Sequence, residues 1–353
     1  MIRRDAGDDW LLISQIDHAH LAAEIASAWG NDDVDPLPMA DLLVPAIRDH
    51  DDGWRDWESA PQIDPDLGWP RNFTEMPMRD ATEIWSKSID ICARGDSPLT
   101  GATSVFRQFL QLRGQSLTDE RKVVLDVVAK IGIPFLAERV FHLITEAQLR
   151  VGRATVYRTI SLLEEAGLIR FVQQLTGDVV DQFYVAHLES HPTSSLAGSW
   201  VSRHFCWLAE KTNESRVADP AEVEVVEQFL SEQRTQQLAW LANPGFTTTH
   251  ANFNKLSKTG FRWLQFFDRL SLWLCCAERT QPFNVTSPHE TAFACVPCRR
   301  DKIIVDPFPL GVDELELSVT ARHVPARVYS NDEELQDAVR DAGLQELTWV
   351  ISR

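Results

Sequence analysis

Five side chains of this 353-residue chain combine residue types and neighbours suited to a divalent metal: His18, His50, Asp51, His204 and Asp268. Most of them stand where the local pattern calls for an apolar residue. His18 shares a helical stripe with Leu21, Ala22, Ile25 and Trp29, and His50 follows Leu43, Ala46 and Ile47. His204 belongs with Trp200, Trp207 and Leu208, and Asp268 with Phe261, Leu264, Leu272 and Cys275. A buried imidazole or carboxylate without a partner loses more in desolvation than its packing returns, so these groups need partners. Imidazole and carboxylate together suit zinc, iron or manganese, and an ion held this way can activate a water. Asp51, beside His50 at a helix end, is the candidate catalytic carboxylate as well as a ligand. The plainer alternative, hydrogen-bonded core residues in separate places, stays open at this level. His20 lies two positions off the apolar stripe and reads as a surface residue or as one that supports a ligand from behind.

A second group of residues suits nucleic acid. In Gly152-Arg-Ala-Thr-Val-Tyr-Arg-Thr-Ile160 a helix turns Val156 and Ile160 inward, which leaves Arg153, Thr155, Tyr157, Arg158 and Ser161 on the other face. Guanidinium groups there can grip a guanine edge in a major groove, while hydroxyls hold phosphates. Arg170, just beyond the helix, adds a backbone contact.

The elements that must position these residues follow from period and punctuation. Ser14 to Trp29 predicts a helix capped by Ser14, and Leu42 to His50 a second one that Pro45 must kink or begin. Trp54 to Phe73 reads as a long loop pinned by Trp54, Trp57 and Trp69, and helices are expected over Glu75 to Ala93 and Thr100 to Leu112. Thr118 opens a helix, Phe135 to Leu149 a second, and Gly152 to Gly167 a third that Gly167 closes. Strands at Ile169 to Gln174 and Val179 to Val185, joined by a turn at Thr176 to Asp178, complete the order of a winged helix-turn-helix. Leu188 to Ser199 reads as a polar linker. Helices then cover Trp200 to Lys211, Ala221 to Leu241 and Asn254 to Ala277. Lys302 to Val305, Glu314 to Thr320 and Leu347 to Ile351 suggest strands, and Ser330 to Ala342 a helix capped by Ser330 with Glu333 in return.

Charge and cysteine usage narrow the classes. The formal charge is −18, which repels nucleic acid at long range. Thr118 to Glu189 carries only −2 of it, so the acidity belongs to the flanks and any duplex contact must come from local charge. Six cysteines scattered through a chain of this size read as reduced thiols; Cys295-Val-Pro-Cys298 is half of a zinc knuckle with no second half. Apolar runs are broken by charge, as by Arg262, Asp268 and Arg269, and the first residues lack a signal-like stretch. A cytoplasmic protein with no membrane partner is expected.

Two resemblances add to these readings. Thr118-Asp-Glu-Arg121, the Ala154-Thr-Val-Tyr-Arg158 core and Glu165-Ala-Gly-Leu-Ile169 resemble the DNA-binding half of the ferric uptake regulator family, over about a fifth of the chain. That resemblance implies that Thr155, Tyr157 and Arg158 face DNA, with iron or zinc responsiveness. The segment departs from the family after the wing: His187-Leu-Glu-Ser-His191 is a meagre remnant of its ligand-bearing domain, and no cysteine lies between Cys92 and Cys206. The order His18, His50-Asp51, His204, Asp268 resembles the HD superfamily of helical metal-dependent phosphohydrolases, which implies metal ligation by these residues and attack of a bound water on a phosphoester. Gln15-Ile-Asp-His18, His50-Asp-Asp-Gly-Trp54, Trp57-Glu58 and Asp306-Pro-Phe-Pro309 resemble an uncharacterised bacterial family of about this length without the insertion.

The fold expected is mainly α: an HD-like helical domain, residues 1–112 and 199–290, interrupted by a winged helix-turn-helix at 117–187 and followed by a small α+β portion at 300–353. The function expected is a metal-dependent phosphohydrolase-like domain joined to a nucleic-acid-binding winged helix, with a small phosphoester and double-stranded DNA as partners. The alternative is a DNA-binding regulator or protein-interaction adaptor without catalytic activity.

Overall fold

The computed structural model describes residues 1–94, 102–103, 106–107, 109–110, 113–131, 134–176, 179–186, 192–215, 220–242, 250–276, 281–298 and 301–353. In chain order the elements are β1 (Ile2–Asp5), β2 (Asp9–Ile13), α1 (Gln15–Ser27), α2 (Ala40–Asp49), α3 (Arg55–Ser59) and α4 (Met78–Arg94), with a short 3-10 turn at Asp52–Trp54. Then come α5 (Asp119–Ile131), α6 (Ala137–Glu146), α7 (Arg153–Glu165), β3 (Ile169–Thr176) and β4 (Val179–Ala186). The rest is α8 (Pro192–Ser215), α9 (Pro220–Ala242), α10 (His250–Cys276), β5 (Phe283–Thr286), β6 (Ala292–Pro297), β7 (Lys302–Asp306), β8 (Glu314–Pro325), α11 (Asp332–Asp341) and β9 (Gly343–Ser352). The fold is mainly helical, with the winged helix-turn-helix inside it and a smaller α+β portion toward the C-terminal end.

Contacts divide the chain into two units: Met1–Cys92 with Gly198–Gln237 and Leu256–Arg353, and Ala93–Ala197 with Leu238–Lys255. In the first, one sheet runs in the order β1-β2-β8-β9-β7-β6-β5, antiparallel throughout except for the parallel pair β7 and β9. Side chains on a strand alternate between faces, and β8 accordingly buries Leu317, Val319 and Ala321 while Glu316, Ser318 and Thr320 face out. Helix α1 packs on α2 and on β8. The stretch expected as one loop from Trp54 to Phe73 begins with the helix α3, where Trp54 meets Trp57 at 5.6 Å, and in the loop that follows Trp69 meets Trp10 at 5.5 Å.

The second unit has its own core, in which Val124, Leu125, Val128, Val140, Ile144, Val156, Ile160 and Leu163 meet Ala102, Phe106 and Leu110. Gly167, with φ of 73°, ends α7 by donating its N–H to Glu164 while Leu168 donates to Leu163. The helix expected over Thr100 to Leu112, the turn at Gly177 and Asp178, and His187 to His191 lie wholly or partly outside the described residues.

Other expectations change too. The Ser-rich stretch expected as a linker to Ser199 is helical from Pro192 onward. The cap of α11 sits one residue later than expected: Asn331 accepts from the Glu334 N–H, and Glu334 accepts in return from the Ser330 N–H at 2.7 Å. The sheet also takes in two strands from the chain start that the sequence pattern does not announce. The short apolar run Trp10 to Ile13 carries no alternation, and its pairing with β1 on one side and β8 on the other makes it a strand. Helix α2 begins five residues before Pro45, so the proline lies inside it rather than at its start.

Candidate functional site

The first unit brings His18, His50, Asp51, His204 and Asp268 together. Helix α1 carries His18 on its buried stripe, and its start is fixed from two sides. Ser14 Oγ accepts from the Ile16 N–H at 3.0 Å, while the Glu58 carboxylate of α3 accepts from the Gln15 N–H at 2.7 Å and from the Ser14 hydroxyl at 2.5 Å. His50 and Asp51 lie at the turn leaving α2. The Gly53 N–H donates to Ser88 Oγ at 3.0 Å, and a Cβ at Gly53 would stand 2.2 Å from the Ile84 carbonyl oxygen of α4. Only glycine lets the turn close on that helix. His204 comes from α8 with its ring 5.5 Å from that of His50, and Asp268 comes from α10. All five residues are buried, with at most 7% of any one exposed.

His18 Nε2 stands 3.2 Å from Asp268 Oδ1 and 3.6 Å from Asp51 Oδ2; His50 Nε2 stands 3.4 Å and 3.6 Å from the same two oxygens. Ligands bound to one ion at about 2.0–2.2 Å lie roughly 3.0–3.4 Å apart, depending on octahedral or tetrahedral geometry. The four separations fall close to that range. His204 Nε2 stands further off, 4.0 Å from Asp268 Oδ2. Two triads, His18–His50–Asp51 and His50–His204–Asp268, have ligand atoms within 4.8 Å of one another and share His50.

The orientation of His50 carries most of the chemistry. Its Nδ1–H donates to the Ile47 carbonyl at 2.6 Å, which assigns the other ring nitrogen, in the neutral ring, a lone pair. That nitrogen, Nε2, is buried, faces two carboxylates and makes no hydrogen bond of good geometry. A lone pair and two carboxylates repel unless a cation lies among them. Without metal the cation is a proton: burial alone would lower the His50 imidazole, but the Asp51 and Asp268 carboxylates outweigh it and hold its pKa up at about 9. Burial would raise Asp268, yet its contacts with His18 and His50 hold it well below the usual carboxylate range. Burial raises Asp51 against the pull of His50 and His18, and burial lowers His204 to about 4 despite Asp268. The orphaned His50 nitrogen and this donor set of imidazoles and carboxylates fit a divalent ion.

Asp268 thus pairs with histidines rather than with Arg262 or Arg269, and His20 is exposed as expected. None of the six cysteines forms a disulfide, and neither triad among the described residues includes one. Glu58 and Ser88 carry no role by type or period, whereas Gly53 with Asp52 reads as the end of the second helix and a rigid rim beside His50 and Asp51. The part of all three is to fix the backbone around the ligands, and Gly53 and Glu58 fall within the quoted His-Asp-Asp-Gly-Trp and Trp-Glu motifs.

The second unit presents the other candidate residues. Arg153, Tyr157, Arg158 and Arg170 are exposed, and Thr155 is half-buried. Arg153 Nη2 donates to Glu138 Oε2 at 2.7 Å, and the Tyr157 hydroxyl donates to the same oxygen at 2.5 Å. Among the described residues Arg158 and Arg170 have no ion partner. Glu138 is a residue that sequence reasoning passed over, because a partner fifteen positions away leaves no local signal.

A helical unit with a histidine and aspartate cluster, interrupted by a winged helix, is the class that fold and site define. The family described as "Protein of unknown function (DUF3891)" matches residues 1–97 and 171–326, and the chain belongs to it. The Ferric uptake regulator family matches residues 112–193, largely within the interval that separates the two parts of the first match. No curated protein and no solved structure matches the chain. Membership of the HD phosphohydrolases follows from neither family match. Among the described residues no helix is long and apolar enough to cross a membrane.

Proposed function

We propose that this protein is a DNA-binding regulator that carries a divalent metal in its other unit. The observation that carries the DNA reading is Arg158, exposed on α7 and, among the described residues, without an ion partner, inside a stretch similar to the Ferric uptake regulator family. A guanidinium left free on a helix of this kind is available to a guanine edge or a phosphate. Arg170 at the wing supplies a second cation, while Thr155 and Tyr157 supply hydroxyls. The test is fluorescence anisotropy with a duplex pool at low salt. Wild type is expected to bind with steep salt dependence, and Arg158→Ala to bind more weakly with a slope shallower by about 0.9. Equal binding by both proteins would contradict the reading.

A second reading is favoured by the ligand spacing around His50: the metal unit is a phosphohydrolase. A bound divalent ion would supply a water of lowered pKa and polarise a phosphoester oxygen. His18, His50, Asp51 and Asp268 would hold the ion, His204 would stand at its border, and Asp51, a buried carboxylate whose pKa is raised, would take a proton from the attacking water. Turnover of a generic chromogenic phosphodiester, lost in Asp51→Asn even at zinc concentrations that saturate the variant, would support this reading. A metal-loaded wild type that turns over no phosphoester would contradict it.

A further inference from the structure

Glu138 is the acidic residue most intimately placed against the proposed reading helix, and its geometry gives it a role beyond helix capping. It lies in the first turn of α6, where a carboxylate is favoured by the helix dipole. That position does not account for its partners. A single oxygen, Oε2, accepts from both Arg153 and Tyr157 of α7, while Oε1 stands 3.7 Å from His142 Nε2 one turn along its own helix. The Arg153 guanidinium also lies 5.8 Å from the Tyr157 ring and 5.8 Å from the Phe141 ring. An exposed arginine ordinarily samples many rotamers. Here a carboxylate and two ring faces fix its direction while most of its side chain, 62%, stays open to solvent.

Resting on the DNA reading above, we propose that Glu138 is a specificity-determining residue that aims Arg153 and Tyr157 at base edges and keeps them from phosphates. A carboxylate at a duplex-facing surface repels the phosphate backbone, so it weakens binding to every sequence alike. The same carboxylate pre-orients a guanidinium for the two-pronged contact that tells guanine from other bases. Glu138 therefore exchanges general affinity for discrimination. Arg158 and Arg170, which have no such partner among the described residues, supply the sequence-independent attraction.

The test compares wild type, Glu138→Ala, Glu138→Gln and Arg153→Ala, each full-length and with the same circular dichroism melt. The probes are a fully randomised duplex pool and the duplex that wild type selects from it. Glu138→Ala is expected to bind the random pool more tightly, with a salt slope steeper by about 0.9 as Arg153 moves to a phosphate. Its preference for the selected duplex should fall at least about 5-fold, the loss of one guanine contact. Arg153→Ala should lose the same preference without gaining affinity for the pool, and Glu138→Gln should fall between wild type and Glu138→Ala. An unchanged preference in Glu138→Ala, or a parallel loss of affinity for both probes, would overturn the proposal while leaving the DNA reading intact. If none of the four proteins binds either probe at low salt, both fall together.

Discussion

His50 decides what the cluster in the first unit does. With Nδ1–H committed to the Ile47 carbonyl, Nε2 can bind either a proton or an ion. Its pKa of about 9 in the metal-free protein means that metal uptake near neutral pH must expel the proton, so affinity should rise with pH until about 9. Calorimetry of zinc binding in buffers of different ionisation enthalpy should report release of about one proton per ion near neutral pH; no release would show that His50 is not a ligand. Two opposite slopes follow for the metal-free fold. His50 is raised above its ordinary 6.5, so its contribution to stability is complete below that value and is lost as pH climbs through about 9. His204 is depressed, so its contribution is present above 6.5 and is lost as pH falls toward about 4. Thermal unfolding across this range should therefore weaken on both sides of a maximum near 6.5, and bound metal should flatten the alkaline side. A metal-free melting temperature that keeps rising from pH 6.5 to 9 would contradict the placement of the His50 proton.

At the scale of elements, the candidate ligands depend on backbone positions that bear no metal chemistry themselves. Gly53→Ala places a Cβ against the Ile84 carbonyl and should destabilise the first unit by about 1–3 kcal/mol, as overpacking does. Because the displaced turn holds His50 and Asp51, zinc affinity should fall with it; a variant with unchanged melting and unchanged zinc affinity would show that the contact is not needed. The sequence announced the helices carrying the ligands because a histidine or aspartate on an apolar stripe is conspicuous, as His18 is beside Leu21 and Ile25. It did not announce the supports. The Glu58 contacts with α1 span more than forty positions, and the Gly53 contact with α4 spans more than thirty. The first two strands escaped for a related reason: Trp10 to Ile13 is too short and too uniformly apolar to show a period, and β8, which joins the β1–β2 pair to the rest of the sheet, lies near the far end of the chain. The cap of α11 was misplaced by one residue because Ser330 and Asn331 are both good caps, and only the geometry chooses Asn331.

The whole molecule is strongly acidic, yet its winged-helix segment is nearly neutral. Duplex binding should therefore weaken as ionic strength rises, through the few cations on that segment. What ties the family match on the flanks to a definite chemistry is the meeting of residues from both flanks, with His18 and Asp268 250 positions apart and 3.2 Å from each other. The most direct test of that centre is metal stoichiometry measured by elemental analysis on untagged wild type and on Asp268→Asn, each loaded with zinc, desalted and shown to be folded. The expected result is about one ion per chain in wild type and a loss of affinity of at least about 100-fold in the variant. Wild type that retains no metal after loading, or a variant that retains as much as wild type, would contradict the metal centre.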